Sequence, residues 1–177
     1  AKLDALSNEE RDLAIYNLAT SYLKFGNLEE AAIWFRVLQG VSTKHSNDAT
    51  FQLAYISYTN KEFDNALQQF KVLENDKVYA TLVVYYIAEI YNRTGRFAQA
   101  EGIAKEFLSS YPNHKDAAEM QRVLGESCYR QRKYSESIEP LTVYCSSVQY
   151  PLRSATYMLG MSYLNCNQYE TAAEYLG

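Results

Sequence analysis

Residues 87–100 read IAEIYNRTGRFAQA, and this stretch decides the fold because versions of it occur five times along the 177-residue chain. Each version opens with an apolar residue followed by a small one, and successive versions start 34 to 37 residues apart. The small residues are Ala19, Ala54, Ala88, Gly125 and Gly160. A second small residue follows twelve positions later each time, at Ala31, Ala66, Ala100, Ser137 and Ala172. A fixed register of this kind predicts an array of structural repeats.

Each repeat has the pattern of two helices joined by a short turn. Within each half the apolar residues recur at intervals of three and four, which favours a helix over a strand. Between the halves, Gly26 and Gly95 suit the left-handed backbone conformation that ends many helices, whereas Lys61, Arg132 and Asn167 adopt it less readily. The small residues are expected where the two helices of a hairpin approach most closely. Because one hairpin cannot bury its own apolar faces, neighbouring hairpins are predicted to stack into a solenoid.

The pattern resembles the tetratricopeptide repeat over about residues 12–177. The resemblance implies an all-α fold, a right-handed superhelical α-solenoid of about five helix-turn-helix repeats. In each repeat the first helix, helix A, would line the concave face, and the second, helix B, would lie on the convex side. We expect a single domain, the last repeat truncated, with repeats at about residues 12–46, 47–80, 81–117, 118–152 and 153–177. The family's usual Trp early in helix A is absent here, and its late Pro survives only at Pro112 and Pro151.

Two features bear on the source and the ends of the chain. The YP linkers and the segment YSESIEPL look more like bacterial cell-envelope repeat proteins than eukaryotic co-chaperones, which slightly favours a periplasmic or envelope-associated location. The spacing of SNEE is that of a capping box, so the first helix A is expected to begin near Asn8. The sequence stops at Gly177, early in the last helix B and without a polar capping helix, so we expect a fragment of a longer protein.

Composition excludes several classes of partner. The net charge of −4 arises from 17 basic and 21 acidic residues with no basic block, which argues against nucleic acid binding. No apolar stretch is long enough to insert into a membrane. Cys128, Cys145 and Cys166 fall in no metal-binding or disulfide pattern, so they are expected to pack as apolar side chains.

The sequence predicts no enzyme: no catalytic residues, no cofactor and no metal site. The only histidines, His45 and His114, fall in predicted linkers, where we expect them to be solvated loop residues. None of the common nucleophile, phosphate-binding or zinc motifs appears. Acidic pairs such as Glu29 and Glu30 lie early in helices, where they interact favourably with the helix dipole.

The helix A positions that the resemblance places toward the groove suggest a binding surface. The fifth position of each repeat is aromatic four times in five, and Tyr and Arg are the residue types that anchor protein partners. The candidate partner-binding residues are Tyr16, Phe51, Tyr55, Tyr58, Tyr85, Arg93, Arg122, Tyr129, Arg130 and Tyr157. The same rings could instead pack repeat against repeat. The basic residues with which some co-chaperones of the family bind chaperone tails are missing at the corresponding positions.

The sequence therefore favours a non-catalytic scaffold that binds a peptide or protein partner in an aromatic-lined concave groove. The alternative is a structural or oligomerisation segment of a larger multidomain protein, possibly a regulatory or envelope protein, which self-associates through its uncapped last repeat. A third possibility is glycan or small-ligand binding on the aromatic face, because tyrosine rings stack on sugars.

Overall fold

The fold is all-α in the part of the chain that the computed structural model describes, residues 7–42 and 44–177. These residues contain no strand and form ten helices. Their bounds are α1 Asn8–Lys24, α2 Leu28–Val41, α3 Ser46–Thr59, α4 Phe63–Val72, α5 Ala80–Arg93, α6 Phe97–Ser110, α7 Ala117–Arg130, α8 Tyr134–Ser147, α9 Arg153–Asn165 and α10 Tyr169–Leu176. None of them is long and apolar enough to cross a membrane.

The chain divides into two compact units, Ala1–Val83 and Val84–Gly177, and the boundary falls within α5. In the first unit α1 packs on α2, α2 on α3 and α3 on α4. In the second unit α6 packs on α7, α7 on α8, α8 on α9 and α9 on α10. In these seven pairs, helices that are consecutive along the chain are neighbours in space, as the repeat pattern predicts.

The turns between the two helices of each hairpin share one backbone geometry. Five residues adopt a left-handed conformation there, with φ between 62° and 79°: Gly26, Lys61, Gly95, Arg132 and Asn167. At Lys61 the turn is closed by two hydrogen bonds, one donated by Lys61 N to Tyr58 O at 3.0 Å and one by Glu62 N to Ser57 O at 2.8 Å. This is the Schellman arrangement, which satisfies carbonyls at a helix end. Three of the five turns thus adopt the glycine conformation without a glycine.

The small residues lie where the two helices of a hairpin touch, as predicted. All eight alanines and serines of the two small-residue series are at most 2% exposed. A Cβ added to Gly125 would lie 2.5 Å from Leu141 Cγ, and one added to Gly160 would lie 2.7 Å from Leu176 Cγ. Real Cβ atoms do not approach other atoms so closely, so a side chain at either glycine would push the helices apart.

The start of the first helix is also confirmed. Ser7 is the N-cap of α1, and its Oγ accepts a hydrogen bond from Glu10 N at 3.4 Å. The Glu10 carboxylate accepts a hydrogen bond from Ser7 N at 2.9 Å in return. This reciprocal pair is the capping box that the SNEE spacing predicts.

Candidate functional site

The fifth-position rings of the first unit are held inside their own hairpins. The Tyr16 ring stacks on the imidazole of His45, with ring centroids 5.2 Å apart, and its edge meets Phe35 at 6.4 Å. The same arrangement recurs one repeat later. The Phe51 ring stacks on Tyr79 at 5.1 Å, and its edge meets Phe70 at 5.8 Å. In both repeats the ring therefore joins helix A to helix B and to the linker that follows helix B.

The linker side of these contacts is fixed by hydrogen bonds. The Tyr79 hydroxyl donates to the Asp48 carboxylate in the first turn of α3. Burial, together with this carboxylate, raises the pKa of Tyr79 well above its ordinary value. His45 Nδ1 lies 3.3 Å from the other oxygen of Asp48. Asp48 thus connects the linker that contains His45 to the linker that contains Tyr79. The rings of Tyr16 and Phe51, which stack on these two residues, have a packing role.

Both histidines differ from the expectation of solvated loop residues. They do lie outside the helices, but the His45 and His114 side chains are only 17% and 26% exposed. His114 meets the Phe107 ring edge-on at 5.3 Å, and its Nδ1 accepts a hydrogen bond from Asp116 N at 3.2 Å. Each imidazole packs on an aromatic ring because the linker folds back over the preceding hairpin. The sequence of a linker does not show whether its histidine packs on an aromatic ring, so these contacts were not predicted.

In the second unit Arg122 on α7 occupies the fifth position of the repeat 118–152, and its guanidinium is buried. Only 5% of the residue is exposed. Three carboxylates accept its hydrogen bonds: Nη2 donates to Glu89 at 2.8 Å, Nε to Glu119 at 2.8 Å and Nη1 to Glu126 at 3.0 Å. Burial acts to lower the pKa of Arg122, but Glu89 and Glu126 outweigh it, so the pKa is raised and the guanidinium stays charged.

Further polar groups complete this cluster, which we call the Arg122 cluster. Arg93 Nε donates to Glu89 at 2.6 Å, and Asn92 Nδ2 donates to Glu126 at 2.7 Å. Glu89 is 1% exposed and Glu126 is 8% exposed. Buried carboxylates need such partners. The cluster therefore joins α5 to α7, and the Arg122 guanidinium is bound by carboxylates of its own chain.

Glu89 and Glu126 were missed by sequence reasoning. They occupy the ninth position of two consecutive repeats, four residues after the fifth position. An acid at that position in two successive repeats, with Arg122 between them along the chain, is the signal that could have identified the cluster.

The candidate residues on α7 and α9 are more accessible. Arg130 is exposed, and Tyr157 is 55% exposed. The Tyr129 ring is half-buried, 5.6 Å from Tyr134, and its pKa is raised by burial and, secondarily, by the nearby Tyr157 and Tyr134 hydroxyls. Leu164, which lies two turns after Tyr157 on α9, is 38% exposed. We call Tyr129, Arg130, Tyr157 and Leu164 the α7–α9 surface.

The remaining candidates occupy intermediate positions. Tyr55 on α3 is 37% exposed, and the Tyr58 ring lies 6.0 Å from Phe63. Tyr85 on α5 is half-buried against Tyr86, with ring centroids 5.3 Å apart. These three rings contact other residues of the chain, and a role for them in partner binding stays a prediction.

One group of side chains has the composition of a metal site. Ligand atoms of Glu101, Cys128 and Glu136 all lie within 4.8 Å of one another. However, the Glu101 carboxylate already accepts hydrogen bonds from Lys105 Nζ at 2.6 Å and from Lys133 Nζ at 2.7 Å. Burial raises the pKa of the Cys128 thiol to about 11, so the thiolate that a metal requires is disfavoured. The group is an ion-paired network that links α6 to α8.

The cysteines form no disulfide. Cys128, Cys145 and Cys166 are all free, and Cys128 is buried. The burial of Cys128 agrees with the apolar packing that the scattered spacing predicts, whereas Cys145 and Cys166 are partly exposed.

Comparison with known proteins gives the same picture of the fold. Two family models, both described as tetratricopeptide repeat, match residues 85–151 and 154–177, which together make up just over half of the chain. None of the curated proteins matches this sequence.

Several solved structures are similar. MamA residues 41 to the end, from Desulfovibrio magneticus RS-1, superposes with a TM-score of 0.79 at 14% identity, covering 93% of this chain and 90% of that one. A MamA RS-1 double mutant gives a TM-score of 0.80 at 14% identity, with coverages of 93% and 90%. YrrB, described as a TPR protein with an unusual peptide-binding site, gives a TM-score of 0.74 at 15% identity, covering 96% of this chain and 84% of that one. At these identities the similarity shows the fold alone.

Proposed function

Because this chain belongs to the tetratricopeptide repeat family, we propose that it is a non-catalytic scaffold that binds a peptide or protein partner. Its repeats would present the partner with the helix A side, the side that the family resemblance assigns to the groove. The observation that carries the proposal is the α7–α9 surface, where Tyr157 is 55% exposed beside the half-buried Tyr129. YrrB, with its peptide-binding site, supports a peptide as the class of partner.

The α7–α9 surface suggests the chemistry of that partner. Two tyrosine rings and Leu164 offer apolar area, and tyrosine buries it at a low cost in side-chain entropy. Arg130 adds a guanidinium, whose planar array of donors suits a carboxylate. By contrast, the Arg122 guanidinium donates its hydrogen bonds to three carboxylates of its own chain, so we leave Arg122 out of the proposed surface. We infer that the partner segment combines apolar side chains with an acidic one.

The experiment is a selection of random displayed peptides on the immobilised 177-residue chain, followed by affinity measurement on variants. Tyr157→Ala combined with Arg130→Ala is expected to weaken the selected peptides by at least about tenfold, because central Tyr and Arg residues dominate binding energy. Circular dichroism should show unchanged helicity, since both side chains are exposed.

The matched control is Tyr150→Ala. Tyr150 is 84% exposed but lies in the linker between α8 and α9, so its loss is expected to leave affinity unchanged. If the selected peptides bind the double variant as tightly as the parent chain, the α7–α9 surface is not the binding site.

A second candidate function is self-association through the last hairpin. Tyr169 on α10 is 62% exposed, and Leu176 is 39% exposed. Two such apolar side chains on one short helix could be covered by a second copy of the chain. Sedimentation of the 177-residue chain tests this: Tyr169→Ser, which leaves the packing of Leu176 against Gly160 in place, should convert any dimer to monomer, and a parent chain that is monomeric at high concentration excludes it.

A further inference from the structure

A cleft runs along the helix B side of the first unit. It lies between α2 and α4, is open to solvent, has a volume of about 720 Å³ and has the second half of α3 as its floor. Leu53 and Ile56 of the floor, and Ala32 of α2 beside them, are apolar and each 4–6% exposed. The walls are formed largely by amide side chains, namely Gln39, Asn60, Asn65, Gln68 and Gln69.

The second unit has a buried carboxylate, that of Glu101, at the corresponding place. In the repeat register Ala32 corresponds to Glu101, the residue that follows the second small residue of its repeat. The Glu101 side chain is 9% exposed and accepts hydrogen bonds from Lys133 Nζ and from Gln131 Nε2, both at 2.7 Å. Glu101 therefore acts as an internal plug between α6, α7 and α8.

The first unit has an alanine in place of the plug residue Glu101 and an acidic residue in place of Lys133, the basic partner of Glu101. Lys133, the N-cap residue of α8, corresponds to Glu62, the N-cap residue of α4. Because Ala32 is small, the space that the Glu101 side chain occupies in the second unit is empty in the first. Glu62 places a carboxylate beside this space. A carboxylate at that point is complemented by a cation.

The charges of the cleft lining agree with this. Glu29, in the first turn of α2, is a second exposed carboxylate on the lining. Arg36, the counterpart of Lys105, is the basic residue among the described lining residues. It lies seven residues beyond Glu29 on α2, about 10 Å further along the helix axis. The end of the cleft that contains Glu29 and Glu62 is therefore acidic.

The amide walls suit an extended backbone. Each Asn or Gln side chain offers two donor hydrogens and a carbonyl oxygen. Asn65 Nδ2 donates to Ser57 Oγ at 3.0 Å and to Glu62 Oε2 at 3.4 Å, and Asn65 Oδ1 accepts from Gln69 Nε2 at 2.9 Å. These bonds fix both side chains; Asn65 keeps a second acceptor position, and Gln69 keeps one donor hydrogen and its carbonyl oxygen. From Glu29 to Gln39, α2 rises about 15 Å, the length of about five extended residues.

We propose that this cleft binds an extended segment of a partner protein, about five residues long, that inserts a Lys or Arg side chain between Glu29 and Glu62. The amide side chains of α4 hydrogen-bond the backbone of the segment, and its apolar side chains lie on Ala32 and Ile56. This surface is separate from the α7–α9 surface in residues and in the chemistry of its ligand, because it selects a basic segment.

Nuclear magnetic resonance titration of the ¹⁵N-labelled 177-residue chain tests the proposal. The probes are two N-acetylated, C-amidated pentapeptides, Ala-Ala-Lys-Ala-Ala and the same peptide with Glu in place of Lys. We expect the Lys peptide to shift the amide signals of Ile33, Asn65 and Gln69 and to bind about fivefold more tightly than the Glu peptide, as exposed ion pairs allow.

Two variants locate the site. Ala32→Glu with Glu62→Lys copies the plug of the second unit into the first, and it should weaken the Lys peptide by at least about tenfold by filling the cleft. Glu29→Gln with Glu62→Gln keeps the shape and removes both carboxylates, so it should abolish the preference for Lys over Glu. Glu106→Gln, at an exposed position on α6, is the matched control and should change nothing.

Three results would each overturn the proposal: equal affinity for the two peptides, signal shifts confined to residues outside the cleft, or Lys-peptide binding that survives both cleft variants. If circular dichroism shows that the plugged variant is unfolded, the Gln variant decides. Tyr157→Ala with Arg130→Ala should leave pentapeptide binding intact, so failure of the α7–α9 surface and failure of the cleft are distinguishable.

Discussion

The first unit and the α7 repeat of the second unit fill the same repeat position in opposite ways. In the first unit the fifth position of helix A carries a ring that stacks on a linker ring, as Phe51 does on Tyr79 at 5.1 Å. In the α7 repeat the fifth position carries Arg122, which is bound by three carboxylates within 3.0 Å. Both solutions fill the space beside helix A, but one is apolar and the other is ionic.

The difference predicts how strongly a substitution at this position should lower the stability of each unit. Ring pairs contribute about 0.5–1.5 kcal/mol beyond their buried area and do not depend on any single atom. A buried ion cluster is stable only when every charge has its partner, because the desolvation of each ion must be offset. The first unit should therefore lose stability gradually on substitution, and the second should lose it steeply.

The largest effect is expected from Arg122→Ala. This change leaves Glu89 and Glu126, which are 1% and 8% exposed, without their shared cation. We expect the free energy of unfolding to fall by about 3–5 kcal/mol, as when one partner of a buried ion pair is removed. Urea denaturation measures the total, and amide hydrogen exchange should place the loss in α7. Arg130→Ala, on the same helix but exposed, should change stability by less than about 0.5 kcal/mol. A similar small loss for both variants would mean that the cluster contributes little.

The aromatic side of the comparison is tested by Phe51→Ala. The ring is half-buried and contacts both Tyr79 and Phe70, so we expect a loss of about 2–3 kcal/mol. A double-mutant cycle with Tyr79→Ala should give a coupling of about 0.5–1.5 kcal/mol. Phe51→Leu, which keeps most of the apolar volume, should recover at least half of the loss. No comparable rescue is expected for Arg122→Met unless Glu89 and Glu126 are also replaced. Equal rescue in both units would remove the distinction between them.

A smaller effect is expected where both units rely on close helix packing. In the first unit this position is Ala54, whereas α7 has Gly125, whose added Cβ would lie 2.5 Å from Leu141 Cγ. Gly125→Ala should therefore cost about 1–2 kcal/mol, the strain being partly offset by the better helix propensity of Ala. Gly102→Ala on α6 is the control, because nothing lies within 4 Å of its added Cβ, and it should stabilise the chain by about 0.5–1 kcal/mol. If both variants gain stability, α7 and α8 are less tightly packed than described.

The sequence predicted the features that repeat and missed those that do not. The small residues, the five turns and the start of α1 could be predicted because each depends on a local pattern that recurs or has a known motif. The Arg122 cluster could not, since its contact with Glu89 joins residues 33 apart and depends on which way one long side chain turns. The rings of Tyr16 and Phe51 were assigned to a groove because the family resemblance gives the face of helix A but not the path of the linker that packs on it.

The smallest effect is expected from acid, and it should fall on the second unit. Burial acts to raise the pKa of Glu101, but hydrogen bonds from Lys105, Lys133 and Gln131 outweigh it and lower the pKa to about 2. The carboxylate therefore binds a proton less readily in the folded chain than in the unfolded chain, where its pKa is near 4.5. Its contribution to stability is complete above about pH 5 and is lost as the pH falls toward 2.

Glu101→Gln removes this titration. Between pH 7 and pH 3 the parent chain should lose about 1 kcal/mol more unfolding free energy than the variant, measured by urea denaturation at each pH. Glu106→Gln, at an exposed position on the same helix, should behave like the parent chain. Amide exchange should place the acid-induced loss in α6 and α8, because Lys105 and Lys133 hold the carboxylate from those two sides, whereas the stacked rings of Phe51 and Tyr79 carry no charge to lose. An equal acid loss in Glu101→Gln and the parent chain would show that the internal plug is held by packing and not by its charge.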